Sequence, residues 1–309
     1  MAWRTRVFAR VLKLLEKGIE EVADLPAHRA KRARLQASFV GRRVFGTADA
    51  GVTTEQIHID GRRAVLHRPV GANGALPVVV NYHGGGWVQG NPEQSIWLAT
   101  RVAARLGAVV VSPVYRLAPE HPYPAAADDA WATLRWVAEH APDLGVDPAR
   151  IAVMGDSAGG NLAAVTALRT RDEGGPSLKA QVLVYPAVEM YEKYPSEIRL
   201  ADAPVLTSAN MRAFVRLYLG DQYGTEDAAA SPIRAASLSD LAPAFVLTAQ
   251  LDPLLDNGIR YRDALQGAGI SVRYQEYAGA IHGFMSLPGV VPVADRALGD
   301  IVEFLREAL

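Results

Sequence analysis

Short apolar runs rich in β-branched residues punctuate the chain from residue 77 onward: 77–82 (PVVVNY), 108–112 (AVVVS), 151–154 (IAVM), 181–185 (QVLVY) and 244–248 (AFVLT). Runs that are apolar on both faces suit strands of a parallel sheet covered on both sides. A sixth run, 271–277 (SVRYQEY), alternates instead and predicts a strand near the sheet edge. Between the runs, apolar positions recur at helical spacing over 96–106, 125–139, 158–171, 257–266 and 293–309. This alternation predicts an α/β fold with a mostly parallel central sheet flanked by helices on both faces. An earlier pair of segments, 56–60 and 63–67 across Gly61, predicts an antiparallel hairpin at the start of the sheet.

Residues 189–234 break the rhythm. About 45 residues separate two strands there, where a crossover needs far fewer. A helix predicted over 210–219 is followed by a polar stretch, 220–230, so the segment reads as an insertion over one end of the sheet. At the start of the chain Trp3, Val7, Val11, Leu14 and Leu15 recur at helical spacing and predict an amphipathic helix. Its apolar stripe is expected to pack on the body of the protein with the basic face in water. Attachment to an anionic membrane surface is the alternative. The expected organisation is a helical cap segment over 1–43, a core over 44–188, a cap insertion over 189–234 and the rest of the core over 235–309.

Composition narrows the chemistry. Of 309 residues, 50% are hydrophobic and 21% charged, the balance of a folded chain with a large core. There is no cysteine, which excludes thiolate catalysis, Cys-ligated zinc and iron–sulfur clusters, and fits a cytoplasmic protein. A net charge of −1 argues against a nucleic-acid partner. No apolar run approaches the length of an integral membrane segment. Residues 1–43 nonetheless carry eleven Lys/Arg against four Asp/Glu, a local charge of +7 that leaves −8 on the remainder. Charges interrupt each of their apolar stretches, so they do not read as a signal peptide.

The sharpest motif is Gly155-Asp156-Ser157-Ala158-Gly159-Gly160, between a predicted strand and a predicted helix. A G-x-S-x-G at such a junction is the pattern of a nucleophile elbow, in which glycines make room for a tight turn and the serine is left exposed. A serine N-cap in a glycine-rich turn would be the plainer reading of the pentapeptide alone. A serine hydroxyl needs a base, and the base needs an acid to hold it. In this architecture the chain order is Ser, then Asp or Glu, then His. Of seven histidines only His282 follows Ser157, in a loop expected just after the 271–277 strand. Fourteen carboxylates lie between the two. Asp252 is favoured because it closely follows the 244–248 strand, at the carboxyl end of the sheet where active sites of open α/β folds gather. Asp256 reads better as a carboxylate at the start of the next helix, and Asp240 precedes the strand at the wrong end.

An acyl-transfer intermediate also needs donors for its oxyanion. His83-Gly84-Gly85-Gly86-Trp87 follows the 77–82 strand, and glycines without side chains let backbone amides converge with that of Ala158. A phosphate loop is a poorer reading, since no Lys-Ser/Thr follows the glycines. His83 precedes the serine, and fixing the loop by a hydrogen bond is its expected role. Trp87, Trp97, Met211, Phe214 and Leu217 are candidate walls of an acyl pocket, with ordinary packing as the competing explanation for each.

Taken together, His83–Trp87 (HGGGW), 115–120 (YRLAPE), 155–160 (GDSAGG), 252–254 (DPL) and 282–284 (HGF) resemble the hormone-sensitive-lipase family of bacterial carboxylesterases, the GDSAG branch. The resemblance spans roughly residues 77–290 and implies an α/β-hydrolase fold with a helical cap. It implies a Ser157–Asp252–His282 triad, oxyanion amides from Gly85, Gly86 and Ala158 with Gly84 supporting the loop, and a structural turn at 115–120. Leu255 and Asn257 stand where the family often has an arginine and an acid. The implied activity is hydrolysis of short- to medium-chain acyl esters with no metal and no cofactor. The implied partner is a small-molecule ester, and a homodimer is left open. A lipase or amidase on the same triad, or a non-catalytic receptor for a hydrophobic ligand, are the alternatives.

Overall fold

A computed structural model describes residues 1–15 and 18–309, with the side chains of 12–15 outside the description. The chain opens with three helices, α1 (Trp3–Leu15), α2 (Leu25–Ala37) and α3 (Phe39–Phe45). Asp24 starts α2 by accepting the Ala27 amide. Ser38 closes α2 and starts α3, its hydroxyl accepting the Gly41 amide. The helix α2 has no fully buried residue, so hydrophobic periodicity carries no sign of it. That is why the sequence pattern left α2 unmarked, whereas α3, seven residues long, is too short to display a helical period.

The hairpin β1 (Val52–Ile59) and β2 (Arg62–Pro69) follows, turning through Asp60 and Gly61, both with positive φ as a two-residue hairpin requires. Then come β3 (Leu76–Tyr82), α4 (Ile96–Leu106), β4 (Val109–Pro113), α5 (Ala125–Glu139), α6 (Ala141–Leu144), β5 (Val146–Asp156), α7 (Ala158–Asp172) and β6 (Leu178–Val184). The 189–234 segment carries α8 (Pro195–Arg199) and α9 (Ser208–Leu219), the latter starting where the Thr207 hydroxyl accepts the Asn210 amide. The chain closes with β7 (Ala244–Leu251), α10 (Leu255–Gly267), β8 (Val272–Ile281) and α11 (Val293–Ala308).

The strands form one sheet in the order β1-β2-β4-β3-β5-β6-β7-β8, parallel from β4 to β8 and antiparallel only through the hairpin at the other edge. Successive strand residues face opposite sides. Val78, Val80 and Tyr82 therefore pack against α5, α7 and α10, while Val79, Met154 and Val182 pack against α4 and α11. Each valine so buried contributes roughly 1.5–3 kcal/mol relative to exposure. Because these strands are apolar on both faces, a one-residue slip would exchange one buried row for the other, so the register rests on how particular side chains interdigitate with the helices and not on burial alone.

Two expectations are corrected here. The strand β8 runs to Ile281, four residues beyond its predicted end, so His282 is the first residue after the strand. The helix α1 rests on the body through Thr5 and Ala9, and Trp3, Val7 and Val11 of the predicted stripe are exposed. Leu14 and Leu15, also placed in that stripe, lie outside the described side chains, as do the charges of Lys13, Glu16 and Lys17. Among the described residues no helix is long and apolar enough to cross a membrane.

Candidate active site

Four strands deliver their next residue to one end of the sheet. His83 follows β3, Ser157 follows β5, Asp252 follows β7 and His282 follows β8. Leu251 and Ile281 are registered partners across β7 and β8, so Asp252 and His282 leave the sheet side by side although thirty positions apart in sequence. Tyr82 is likewise registered with Gly155, which brings the glycine loop beside Ser157.

At the end of β5 the chain turns sharply into α7. Ser157 itself has φ 56° and ψ −116°, a conformation rarely adopted by a non-glycine residue and costing on the order of 1–3 kcal/mol. The flanking glycines are sterically compelled. A Cβ on Gly155 would lie 2.1 Å from the Gly159 carbonyl oxygen, and one on Gly159 would lie 1.9 Å from that of Tyr82. Ser157 caps no helix amide with its side chain, against the N-cap reading of the motif.

The side chains of Ser157, Asp252 and His282 meet in one line. The Nδ1 of His282 lies 2.6 Å from Oδ2 of Asp252, and its Nε2 lies 3.0 Å from Oγ of Ser157. An ionised carboxylate only accepts, so Nδ1–H donates to Asp252 and Nε2 is free to accept the serine proton. Asp252 is fully buried, and its other oxygen accepts the Leu254 amide, which holds the carboxylate still. Tyr185 packs edge-on against the imidazole, with ring centroids 4.9 Å apart. Of the rival acids, Asp256 sits in the first turn of α10 but accepts the Ser196 amide, a link to α8, and Asp240 lies before β7.

The glycine loop lies over the serine. Gly85 and Gly86 have φ of 125° and 63°, which a side chain would oppose. Among the described residues the amides of Gly85, Gly86 and Ala158 have no protein acceptor, so they are available to a substrate oxygen. Gly84 is the exception. Its amide donates to Oδ1 of Asp156 at 2.9 Å, so it anchors the loop and leaves the set of candidate donors. Further holds come from Gln94, whose Nε2 donates to the Gly84 carbonyl, and from His83, whose Nδ1 is 2.9 Å from the same oxygen. Tyr115, in the 115–120 turn, stacks on His83 and donates its hydroxyl to the His83 carbonyl.

Burial sets the charge states around this loop. It pushes His83 down to about 4, so its imidazole is neutral near pH 7. Burial also raises the Asp156 carboxyl to about 6, against the opposing pull of the Gly84 amide and of His282. The Tyr185 phenol is driven well above its ordinary range, first by burial and then by the field of Asp156.

The candidate wall residues divide. Phe214 of α9 lies directly on the loop, since a Cβ on Gly86 would meet its ring at 2.3 Å. Met211 and Leu217 pack in the same cluster, and Trp87 stacks on Tyr218 at 4.5 Å. Trp97 does not share that wall. It belongs to the cluster on the opposite face of the sheet, against Gly46 and under the Arg101 guanidinium.

Sequence reasoning missed the anchoring role of Asp156, although the residue stands inside the serine motif. It also missed the grip of α2 on the loop. Arg29 donates to the carbonyls of Val88 and Ala118 and pairs with Glu120, and His28 meets Gln89 at 3.2 Å. No motif signals contacts made across 59 to 91 residues. Among the described residues no group of three or more His, Asp or Glu side chains stands at metal-ligating spacing.

Known proteins share this arrangement of elements. Residues 79–286 match the family described as alpha/beta hydrolase fold. The chain is 46% identical over 237 residues to the carboxylesterase NlhH of Mycobacterium tuberculosis, covering 76% of this chain and 74% of that protein. It is 33% identical over 315 residues to an ethyl acetate hydrolase of Pseudomonas putida, covering 97% and 98%. Among solved structures, a thermostable esterase from Pseudomonas putida ECU1011 superposes with a TM-score of 0.91 at 34% identity, over 100% of this chain and 97% of that one.

Proposed function

The chain belongs to the α/β-hydrolase-fold family, and from that premise we propose that it is a serine carboxylesterase, a carboxylic ester hydrolase acting on short- to medium-chain acyl esters. The observation that carries the reading is the unbroken relay from Ser157 through His282 to Asp252, beneath amides that have no acceptor among the described residues. Relatives named as carboxylesterase and ethyl acetate hydrolase support it.

In the proposed reaction Ser157 Oγ attacks the ester carbonyl as its proton passes to Nε2 of His282. Asp252 holds the imidazole and balances the charge it gains. The tetrahedral oxyanion is received by the amides of Gly85, Gly86 and Ala158, donors fixed in place before the reaction. The imidazolium returns its proton to the leaving alcohol, and water then cleaves the acyl-enzyme by the same path in reverse. The helical segments 1–43 and 189–234 serve as a cap in this reading, with Phe214, Met211 and Leu217 closing the acyl side. Assignment to the GDSAG branch rests on the sequence motifs, and assignment to the cytoplasm on the absence of cysteine.

The test is turnover of p-nitrophenyl esters from acetate to palmitate by the unaltered chain and by Ser157→Ala. The expected result is a maximum at short chains and near-complete loss in the variant, together with covalent labelling of Ser157 by a fluorophosphonate in the parent. Normal turnover by Ser157→Ala overturns the proposal.

A further inference from the structure

The N-terminal helices carry an exposed surface that the proposed hydrolysis does not use. On α1, Trp3, Val7 and Val11 are 66%, 53% and 48% exposed. Spaced four apart, they form a single stripe along the helix. That stripe and the Gly289–Val290 turn line an open groove of about 420 Å³. The Gly289 amide donates to the Val44 carbonyl, so the end of α3 flanks the same turn. The helix α3 in its turn exposes Phe39 and Val40, at 72% and 64%, with the Arg43 guanidinium 4.5 Å from the Phe39 ring centroid. Arg4, Arg6 and Arg10 on α1, and Arg42 and Arg43 on α3, are exposed on the same two helices.

Single exposed apolar residues on a surface need no explanation. A tryptophan-bearing apolar stripe bordered by arginines does, because it matches the composition of helices that lie in a membrane interface. The charge distribution selects the occupant. With +7 on residues 1–43 and −8 on the rest, the net attraction to an anionic surface comes from the N-terminal segment, which favours an approach with that segment foremost. A second copy joined through the same face would bring two strongly basic segments together, which electrostatics opposes. The helix also sits close to the chemistry. A Cβ on Gly279, near the end of β8, would lie 2.7 Å from the Met1 nitrogen, and Thr5 donates to the Val290 carbonyl. Contact through α1 therefore brings the strand end bearing His282 towards the interface.

We propose that α1 and α3 form a docking face for an anionic lipid surface. The inference stands independently of the ester chemistry, because its readout is lipid partitioning. The experiment is co-sedimentation of the full chain with vesicles of phosphatidylcholine alone and of equal parts phosphatidylcholine and phosphatidylglycerol. The expected result is binding to the anionic vesicles at low ionic strength, release by added salt and little binding to the neutral ones. Two triple variants, Trp3→Ser with Val7→Ser and Val11→Ser, and Arg4→Glu with Arg6→Glu and Arg10→Glu, should each weaken partitioning by about tenfold or more. The arginine set leaves the apolar positions intact and guards against a folding defect, as does a circular-dichroism melting curve unchanged from the parent's in both sets. Absence of binding to anionic vesicles, or partitioning unaltered in both variants, overturns the proposal. A self-association of the parent that both variants lose, without any lipid binding, assigns the face to a second copy and overturns it too.

Discussion

The Gly84 amide donates to Oδ1 of Asp156 at 2.9 Å, which ties the glycine loop to the residue immediately before Ser157. Nucleophile and proposed oxyanion donors are thus positioned by one buried carboxylate. Asp156→Ala should free the loop and lower kcat by about 10–100-fold, the equivalent of one charge-assisted hydrogen bond, with a smaller change in KM. Asp156→Asn keeps an acceptor for the Gly84 amide and should retain most of the rate. Equal losses in the two variants would show that the contact does not position the loop.

The buried ionisable groups predict how stability varies with pH. His67 and His83 are both held neutral, each pushed by burial down to about 4. The unfolded chain takes up protons on these histidines near 6.5, whereas the folded protein resists until about 4. Stability is therefore lost as pH falls through that window, by up to about 3 kcal/mol for each histidine. Asp156 acts in the opposite sense, because its folded carboxyl is raised to about 6 and binds a proton before the unfolded one. Its contribution grows as pH falls from about 6 to 4 and partly offsets the histidines. Urea midpoints at pH 7.5 and 5 should differ less in His67→Gln than in the parent, and more in Asp156→Asn.

Gly159 admits no side chain, since its Cβ would lie 1.9 Å from the Tyr82 carbonyl oxygen. Relief requires backbone at the end of β3 or the start of α7 to move. Gly159→Ala is expected to destabilise the fold by about 1–3 kcal/mol and to cut kcat along with it. Thermal unfolding followed by circular dichroism measures the first effect and ester turnover the second. A melting curve identical to the parent's would contradict the steric account.

Phe214 rests on Gly86, where a growing acyl chain would need room. Phe214→Ala should move the preferred p-nitrophenyl ester to longer chains. Each methylene newly accommodated is worth about 0.8 kcal/mol, or roughly fourfold in kcat/KM. An unchanged chain-length optimum would remove Phe214 from the acyl side.

The central sheet was legible because its strands are apolar on both faces and stand between amphipathic helices, a pattern few other folds produce. The triad candidates were legible because order along the chain left only His282 as base, and Asp252 followed from its place beyond a strand. Trp97 stayed open between pocket wall and ordinary packing because an aromatic side chain looks alike on either face of a helix packed on a sheet, and only the tertiary arrangement decides. The partner that gives Gly84 its loop-supporting role was not legible, for a related reason. A glycine motif says that amides can approach, and the partner that captures one of them, Asp156, depends on the turn of a different strand. The helix α2 was invisible because its stability comes from capping and from long-range contacts such as those of Arg29, with no hydrophobic stripe to mark it.

Leu251 and Ile281 share a rung of the sheet, and the carboxylate and imidazole hang from the very next positions. Deleting a single residue anywhere in the last turns of β8 would retract the imidazole by about 3.3 Å and swing it to the opposite side of the pleat. Insertions between the strands carry no such penalty, because the ladder re-establishes the spacing downstream of them. The chain is therefore free to remodel its helical covering over evolutionary time while remaining intolerant of one-residue gaps in the strands beneath.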